Sequence, residues 1–198
     1  MVTSRRPYHH GDLRAALLKR AEQALMEKGP GGLSLRELAR DLGVSPGAPS
    51  RHFSGKAALL DALAVEGFQR LRTMLTSTQV EAEVSFADRL TAVAHTYLEF
   101  AVANPALLEL MYSVKYDPVA SPELTAASQW QGALADRLIE DGQRRGEVRE
   151  GSTREIGVPV MASIHGYVLL AVAGGLAIDA AKPGLNDVLA FALRGCAP

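Results

Sequence analysis

Residues 33–68 read LSLRELARDLGVSPGAPSRHFSGKAALLDALAVEGF, and the spacing of apolar and turn-forming residues in this run leaves few folds open. Ser34 precedes an apolar set at Leu35, Leu38, Ala39 and Leu42, and Glu37 stands three residues after it. A serine oxygen can accept from the free N–H groups of a first turn while a glutamate three positions on returns to the serine N–H, so a helix begins here. Gly43 suits the position past a helix end where φ is positive, and Val44 can tuck under the turn, so this helix closes at Leu42. Ser45 offers a capping oxygen and Pro46 a tolerated first-turn proline, which starts a second helix ending near Phe53. Pro49 has no N–H to return to Ser45, a first-turn loss that shortens the helix without breaking it. A third helix runs from about Gly55 to Leu75, with Leu60, Leu63, Ala64, Gly67, Phe68 and Leu71 on its inner face. Two short helices about a tight turn make a helix-turn-helix.

In that motif the second helix lies in the major groove and the first crosses the backbone. The groups it would offer are Ser45, Pro46, Gly47, Ala48, Ser50, Arg51 and His52, with Arg36 on the first helix and Lys56 at the start of the third placed for phosphate. Charge points the same way. Residues 1–56 hold ten Lys/Arg against five Asp/Glu, a net of +5, whereas the rest of the chain carries −6. A cationic end suits phosphate, and the anionic remainder would be repelled from it. For Lys19, Arg20 and Lys28 the reading favoured is a solvated charged face. Arg5 and Arg6 lie in a polar segment without apolar periodicity, either an arm for the minor groove or a frayed terminus.

Helical periodicity covers the rest of the chain. A helix from about Asp12 to Lys28 carries Leu13, Leu17, Leu18, Ala21 and Leu25 on one stripe and stops at Gly29. Beyond the motif, helices are expected over 86–103 behind a Ser85 cap, 106–112, 123–145 with Gly146 as its stop, 153–177 with Pro159 as a kink or late start, and 183–194. No run alternates as a strand does, so the fold class is all-α, with a DNA-binding domain at 1–56 and a larger helical domain at 57–198 that begins with the connecting helix. The N-terminus is polar, and the apolar stretch Ile164–Ile178 falls short of the ~20 residues of a membrane span, so a soluble cytoplasmic protein is expected. Cys196 stands alone, and His9 with His10 has no nearby partner to complete a metal site. Without a phosphate loop, metal spacing or nucleophile arrangement, neither catalysis nor a cofactor is expected.

Leu35, Ala39, Gly43, Val44, Ser45, His52, Phe53, Lys56 and Leu59 resemble, in register, the DNA-binding domain of the TetR family of one-component repressors. Ser50 stands where that family usually has tyrosine and Ala48 where it often has threonine, so two hydroxyl groups that would touch DNA are missing. Tyr8-His9-His10-Gly11-Asp12-Leu13 is similar to a Y-H-x-G-D-L start, and Ile164-His165-Gly166 to a W-H-G signature, both of one TetR subclass.

The resemblance implies a homodimer joined through the last long helices as a four-helix bundle, and small residues along 162–177 give an independent reason for close approach. Gly166, Leu170, Gly174 and Phe191 are the candidate contacts, although a core helix within one chain fits them too. Tyr97, Phe100, Met111, Trp130, Met161 and His165 are candidates to line a pocket for a small-molecule effector, against the plainer reading that they are core. His165, alone on an apolar helix, needs a hydrogen-bond partner. The function implied is a regulator that binds a double-stranded operator and is released by a small molecule. The alternative is a degenerate helix-turn-helix protein that assembles with other proteins and no longer reads DNA.

Overall fold

The computed structural model describes residues 10–77, 84–176 and 181–198, with the backbone alone at 10–12. Arg5, Arg6, Tyr8 and His9 lie outside the described residues. The described residues form helices and no strand: α1 His10–Lys28, α2 Leu35–Asp41, α3 Lys56–Ser77, α4 Phe86–Ala103, α5 Pro105–Val114, α6 Pro122–Arg144, α7 Thr153–Val172 and α8 Ala181–Cys196. Short 3-10 turns occupy Pro30–Gly32 and Pro49–Arg51. The all-α class holds.

Two compact units divide the chain, one comprising Met1–Gly67 with Ala106–Leu124 and the other Phe68–Pro105 with Thr125–Pro198. The division read from sequence, between residues 56 and 57, follows charge. The compact units part within α3 instead, and local contacts give the reason. The Asp61 carboxylate accepts from the Ser121 N–H at 2.9 Å and from its hydroxyl at 2.7 Å, while the Ser121 oxygen caps α6 by accepting from the Leu124 N–H at 3.0 Å. Gly67 lets Met111 approach so closely that a Cβ there would stand 2.6 Å from its sulfur.

In the first unit, Leu17, Leu18, Ala21 and Leu25 of α1 are fully buried, as are Leu38 and Ala39 of α2 and Leu59 and Leu63 of α3. Each such leucine contributes about 1.5–3 kcal/mol relative to exposure. In the second unit α4, α7 and α8 pack on one another. Lys182 pairs with Glu99 at 2.8 Å, His95 with Asn186 at 2.7 Å, and the Tyr167 hydroxyl donates to the Ala181 carbonyl at 2.9 Å. The loop after α6 is held to the end of α8 by the Arg149 N–H on the Cys196 carbonyl at 2.8 Å.

The last helices differ from expectation. α7 stops at Val172, and Gly174 takes φ +76° beyond it, so Gly174 closes the helix instead of sitting within a helical interface. Pro159 lies inside α7 and ends nothing. With 20 residues and a mean hydropathy of 1.5 over its apolar window, α7 is long and apolar enough by composition to cross a membrane, over a different span from the Ile164–Ile178 stretch read from sequence. Core helices pass that test as well. One-third of its apolar window is buried within the chain, and Val158, Leu169 and Leu170 are exposed.

Candidate nucleic-acid interface and effector slot

The helix-turn-helix is set by its turn. α2 starts after Ser34, but the serine side chain makes no capping bond, and Glu37 faces Lys28 at 3.5 Å. Gly43 has φ +66°, its N–H donates to the Arg40 carbonyl at 3.1 Å, and the Val44 N–H reaches back to Ala39 at 2.9 Å. These two bonds close the orphan carbonyls of α2 in a Schellman turn, with Gly43 where the sequence requires a left-handed residue.

The second helix is not an α-helix, which corrects the expectation of one ending near Phe53. Residues 46 and 47 form a turn and 48 a bend, and the 3-10 segment Pro49–Arg51 follows. The Ala48 N–H donates to the Ser45 carbonyl at 2.9 Å, Arg51 to Ala48 at 3.3 Å and His52 to Pro49 at 2.9 Å, each spanning three residues, and only the last N–H, of Phe53, reaches back four, to Pro49 at 3.0 Å. Pro49 is the physical cause: it removes the N–H that would reach Ser45 four residues back, so Ser45 is satisfied by the tighter partner. The loss falls on one of only about two turns. Ser45, Pro46, Gly47, Ser50 and Arg51 are exposed, with Ala48 and His52 half-buried, and Arg36 is exposed on α2. Phe53 is buried beneath them, with the Arg14 guanidinium 5.4 Å from its ring centre. Arg51 has no ion-pair partner among the described residues. Lys56 differs: its Nζ donates to the Gly31 carbonyl at 2.8 Å, tying the start of α3 to the first 3-10 turn. Nothing in the sequence pairs position 56 with position 31.

In the second unit, α4, α6 and α7, with Leu75 of α3, line a narrow apolar slot of about 40 Å3. Its direction follows from the packing. A Cβ on Gly142 of α6 would meet Phe86 at 3.2 Å, and one on Gly157 of α7 would meet Ile139 at 3.0 Å, so the start of α4, the end of α6 and the start of α7 form one end. Arg89 and Asp141 pair at that same end. Tyr97 and Gln131 line the slot together with Met161 and Ile164 of α7, and the Tyr97 hydroxyl lies against His165 of α7.

Of the six candidate effector residues, Tyr97 and Met161 line the slot. His165 stands behind Tyr97, its Nδ1 2.7 Å from the hydroxyl, which supplies the partner an apolar helix demands. Trp130 precedes the lining residue Gln131 and is covered by the Arg72 guanidinium at 5.3 Å. Phe100 is fully buried and does not line the slot, and Met111 belongs to the first unit, against Gly67. Most of the wall is aliphatic and was missed, because leucines at helical spacing read alike as core or lining. Of the dimer candidates, Gly166, Leu170 and Phe191 are exposed, Leu170 at 57% and Phe191 at 65%.

These features have counterparts in known proteins. The solved structure of a protein of unknown function from Rhodococcus sp. RHA1 matches with a TM-score of 0.88 and 40% identity, covering 98% of this chain and 100% of that one. The HTH-type transcriptional regulator Rv1816 of Mycobacterium tuberculosis is 31% identical over 144 residues, which cover 69% of this chain and 60% of that protein, so the match spans less than two-thirds of this relative's length. The transcriptional regulator FadR from Bacillus subtilis, solved in complex with stearoyl-CoA, shares the fold at a TM-score of 0.76 and 17% identity, covering 91% of this chain and 98% of that one. Residues 17–63 match the family of bacterial regulatory proteins, tetR family, and residues 90–194, more than half of the chain, match the tetracyclin repressor-like C-terminal domain: the chain belongs to the TetR family.

Proposed function

We propose that the protein is a homodimeric, DNA-binding transcriptional repressor of the cytoplasm, released from its operator by a small molecule. One observation carries the DNA reading: Ser45, Pro46, Gly47, Ser50 and Arg51 are exposed around the buried Pro49, over a buried three-element core in the part of the chain that bears its positive charge. Ser45, Pro46, Gly47, Ala48, Ser50, Arg51 and His52 would face the groove, and Arg36 the phosphates. Arg5 and Arg6 would add an arm. Lys56 enters with one proton already given to Gly31, leaving two for phosphate.

The dimer reading rests on the exposed apolar residues Val158, Leu169 and Leu170 of α7 and Phe191 of α8, beside Gly166, where a Cβ would meet nothing within 4 Å. An apolar face of this kind is what a two-fold partner covers. Two reading heads must then match successive major-groove faces, and a ligand favouring another separation lowers DNA affinity by its differential affinity for the two states. That FadR, which shares the fold, was solved in complex with stearoyl-CoA favours a small-molecule effector.

Selection of bound fragments from the organism's own genomic DNA, followed by affinity measured against salt, tests this reading. Enrichment of a palindrome with a steep salt dependence is expected. Retention of all fragments alike would reject sequence reading. A second reading, a protein that assembles with partners and no longer reads DNA, is favoured by the 3-10 segment in place of a recognition helix. No salt-dependent DNA shift at all would select it.

A further inference from the structure

We propose that Arg14 of α1 is a further contact to the DNA backbone, its guanidinium held over Phe53 and offered to a phosphate beside the groove-facing residues. This inference rests on the DNA-binding reading and extends it to a helix outside the helix-turn-helix. Arg14 is exposed near the start of α1, and its guanidinium lies 5.4 Å from the ring centre of Phe53. Phe53 is 3% exposed and follows directly on His52, the last of the residues offered to the groove. Its N–H donates to the Pro49 carbonyl at 3.0 Å, so the ring is fixed to the same short segment that carries Ser50 and Arg51. A cation over that ring therefore stands where the reading segment rejoins the core.

The other basic side chains around it divide by what they hold. Arg20 pairs with Asp41 at 2.9 Å and with Glu27 at 3.5 Å, Lys28 with Glu37 at 3.5 Å, and Lys56 is tied to the Gly31 carbonyl. Arg14 has no ion pair and no hydrogen bond among the described residues; what it has is the Phe53 ring. A ring restrains a guanidinium without supplying an oxygen acceptor, so the N–H fork remains available to an oxyanion. Restraint before binding also lowers the entropy lost on contact. Because Arg14 lies outside the segment that would enter the groove, its acceptor is the backbone, which carries no sequence information and fixes how the reading segment is seated. A segment shortened by Pro49 offers few contacts of its own and depends the more on such seating. The competing role for Arg14, a long side chain laid over the ring to keep water from it, needs no charge.

The test is fluorescence anisotropy with two duplexes, a fragment recovered by the genomic selection and one of random sequence, over a series of KCl concentrations. Arg14→Gln keeps a polar side chain near the ring and removes the charge. It is expected to weaken both duplexes alike, by roughly tenfold at physiological ionic strength, and to lower the log–log salt slope by about 0.9. Arg14→Lys should keep the wild-type slope. Lys19→Gln, which removes another exposed cation of α1, should leave slope and affinity near those of the wild type. Circular dichroism melts establish that each variant is folded. An unchanged slope in folded Arg14→Gln, an equal loss in Lys19→Gln, or a loss confined to the selected fragment would each overturn the proposal. A lowered melting temperature with the slope intact would assign Arg14 to shielding Phe53 and overturn it as well. A wild type that binds neither duplex would reject the DNA reading and this contact together, whereas binding that Arg14→Gln leaves untouched would reject the contact alone.

Discussion

Arg51 and Lys56 carry the same charge five residues apart, yet the fold uses them differently. Arg51 is exposed at the end of the 3-10 segment, whereas Lys56 already donates to Gly31 at 2.8 Å. Arg51→Ala is expected to weaken operator binding and, if the side chain meets phosphate, to reduce the log–log salt slope by about 0.9. Lys56→Ala is expected to act first on the fold, costing roughly 0.5–1.5 kcal/mol for the lost tie in urea denaturation, with a smaller change in salt slope than Arg51→Ala. A larger slope change for Lys56→Ala would show that the tie opens on DNA. Phe100 and Tyr97 make a similar contrast within one helix: both are buried aromatics, and the direction of their side chains separates core from slot wall.

Several helix ends among the described residues obey rules that act within a few residues. Gly29, Gly43 and Gly146 all take positive φ at the positions read as stops, and the Ser85 hydroxyl accepts from the Asp88 N–H at 3.1 Å as an N-cap should. Pro49 follows an equally local rule with a larger effect than a first-turn loss suggests, because the segment has little helix left to absorb it. Pro49→Ala is expected to restore the bond to Ser45, shift the Cα resonances of residues 46–52 toward α-helical values and raise operator affinity. Helical shifts with unchanged affinity would show that the 3-10 form is the DNA-reading form. At the joint of α4 and α6, Asp141 is held below the usual carboxylate range, chiefly by the hydrogen bond from Arg89, with Arg144 adding to it. The folded protein binds this proton less tightly than the unfolded chain, so the pair stabilises above the ordinary aspartate range, and the contribution is lost as pH falls through the depressed value. Asp141→Asn is accordingly expected to lower Tm at neutral pH and to match the wild type in strong acid.

For the whole molecule, the exposed faces of α7 and α8 are the feature that a single chain leaves unfinished. Gly166 lies on that face, within the helix, and a Cβ there meets nothing in the chain. Gly166→Leu should therefore leave the monomer fold intact while overpacking a two-fold interface twice, at about 1–3 kcal/mol each time. Sedimentation is expected to show a monomer at micromolar concentration with undiminished helical content, and an intact dimer would place the interface elsewhere. Gly174→Leu is the poorer probe, since φ +76° strains any side chain whether or not a partner is near.

The sequence by itself determined the all-α class, the helix stops at Gly29, Gly43 and Gly146, the Ser85 cap and the cationic first quarter, because each depends on φ, on hydrogen bonds spanning about four residues, or on counted charge. The tertiary structure alone decided that Lys56 serves Gly31, that Met111 packs on Gly67 in one unit while Met161 lines a slot in the other, and that Arg72 stands over Trp130. Those facts are distances between residues far apart in the chain. A leucine stripe states that a helix face is apolar, but which neighbouring face closes on it, and whether the closure leaves a slot, is set by how side chains from several helices fill the space between them.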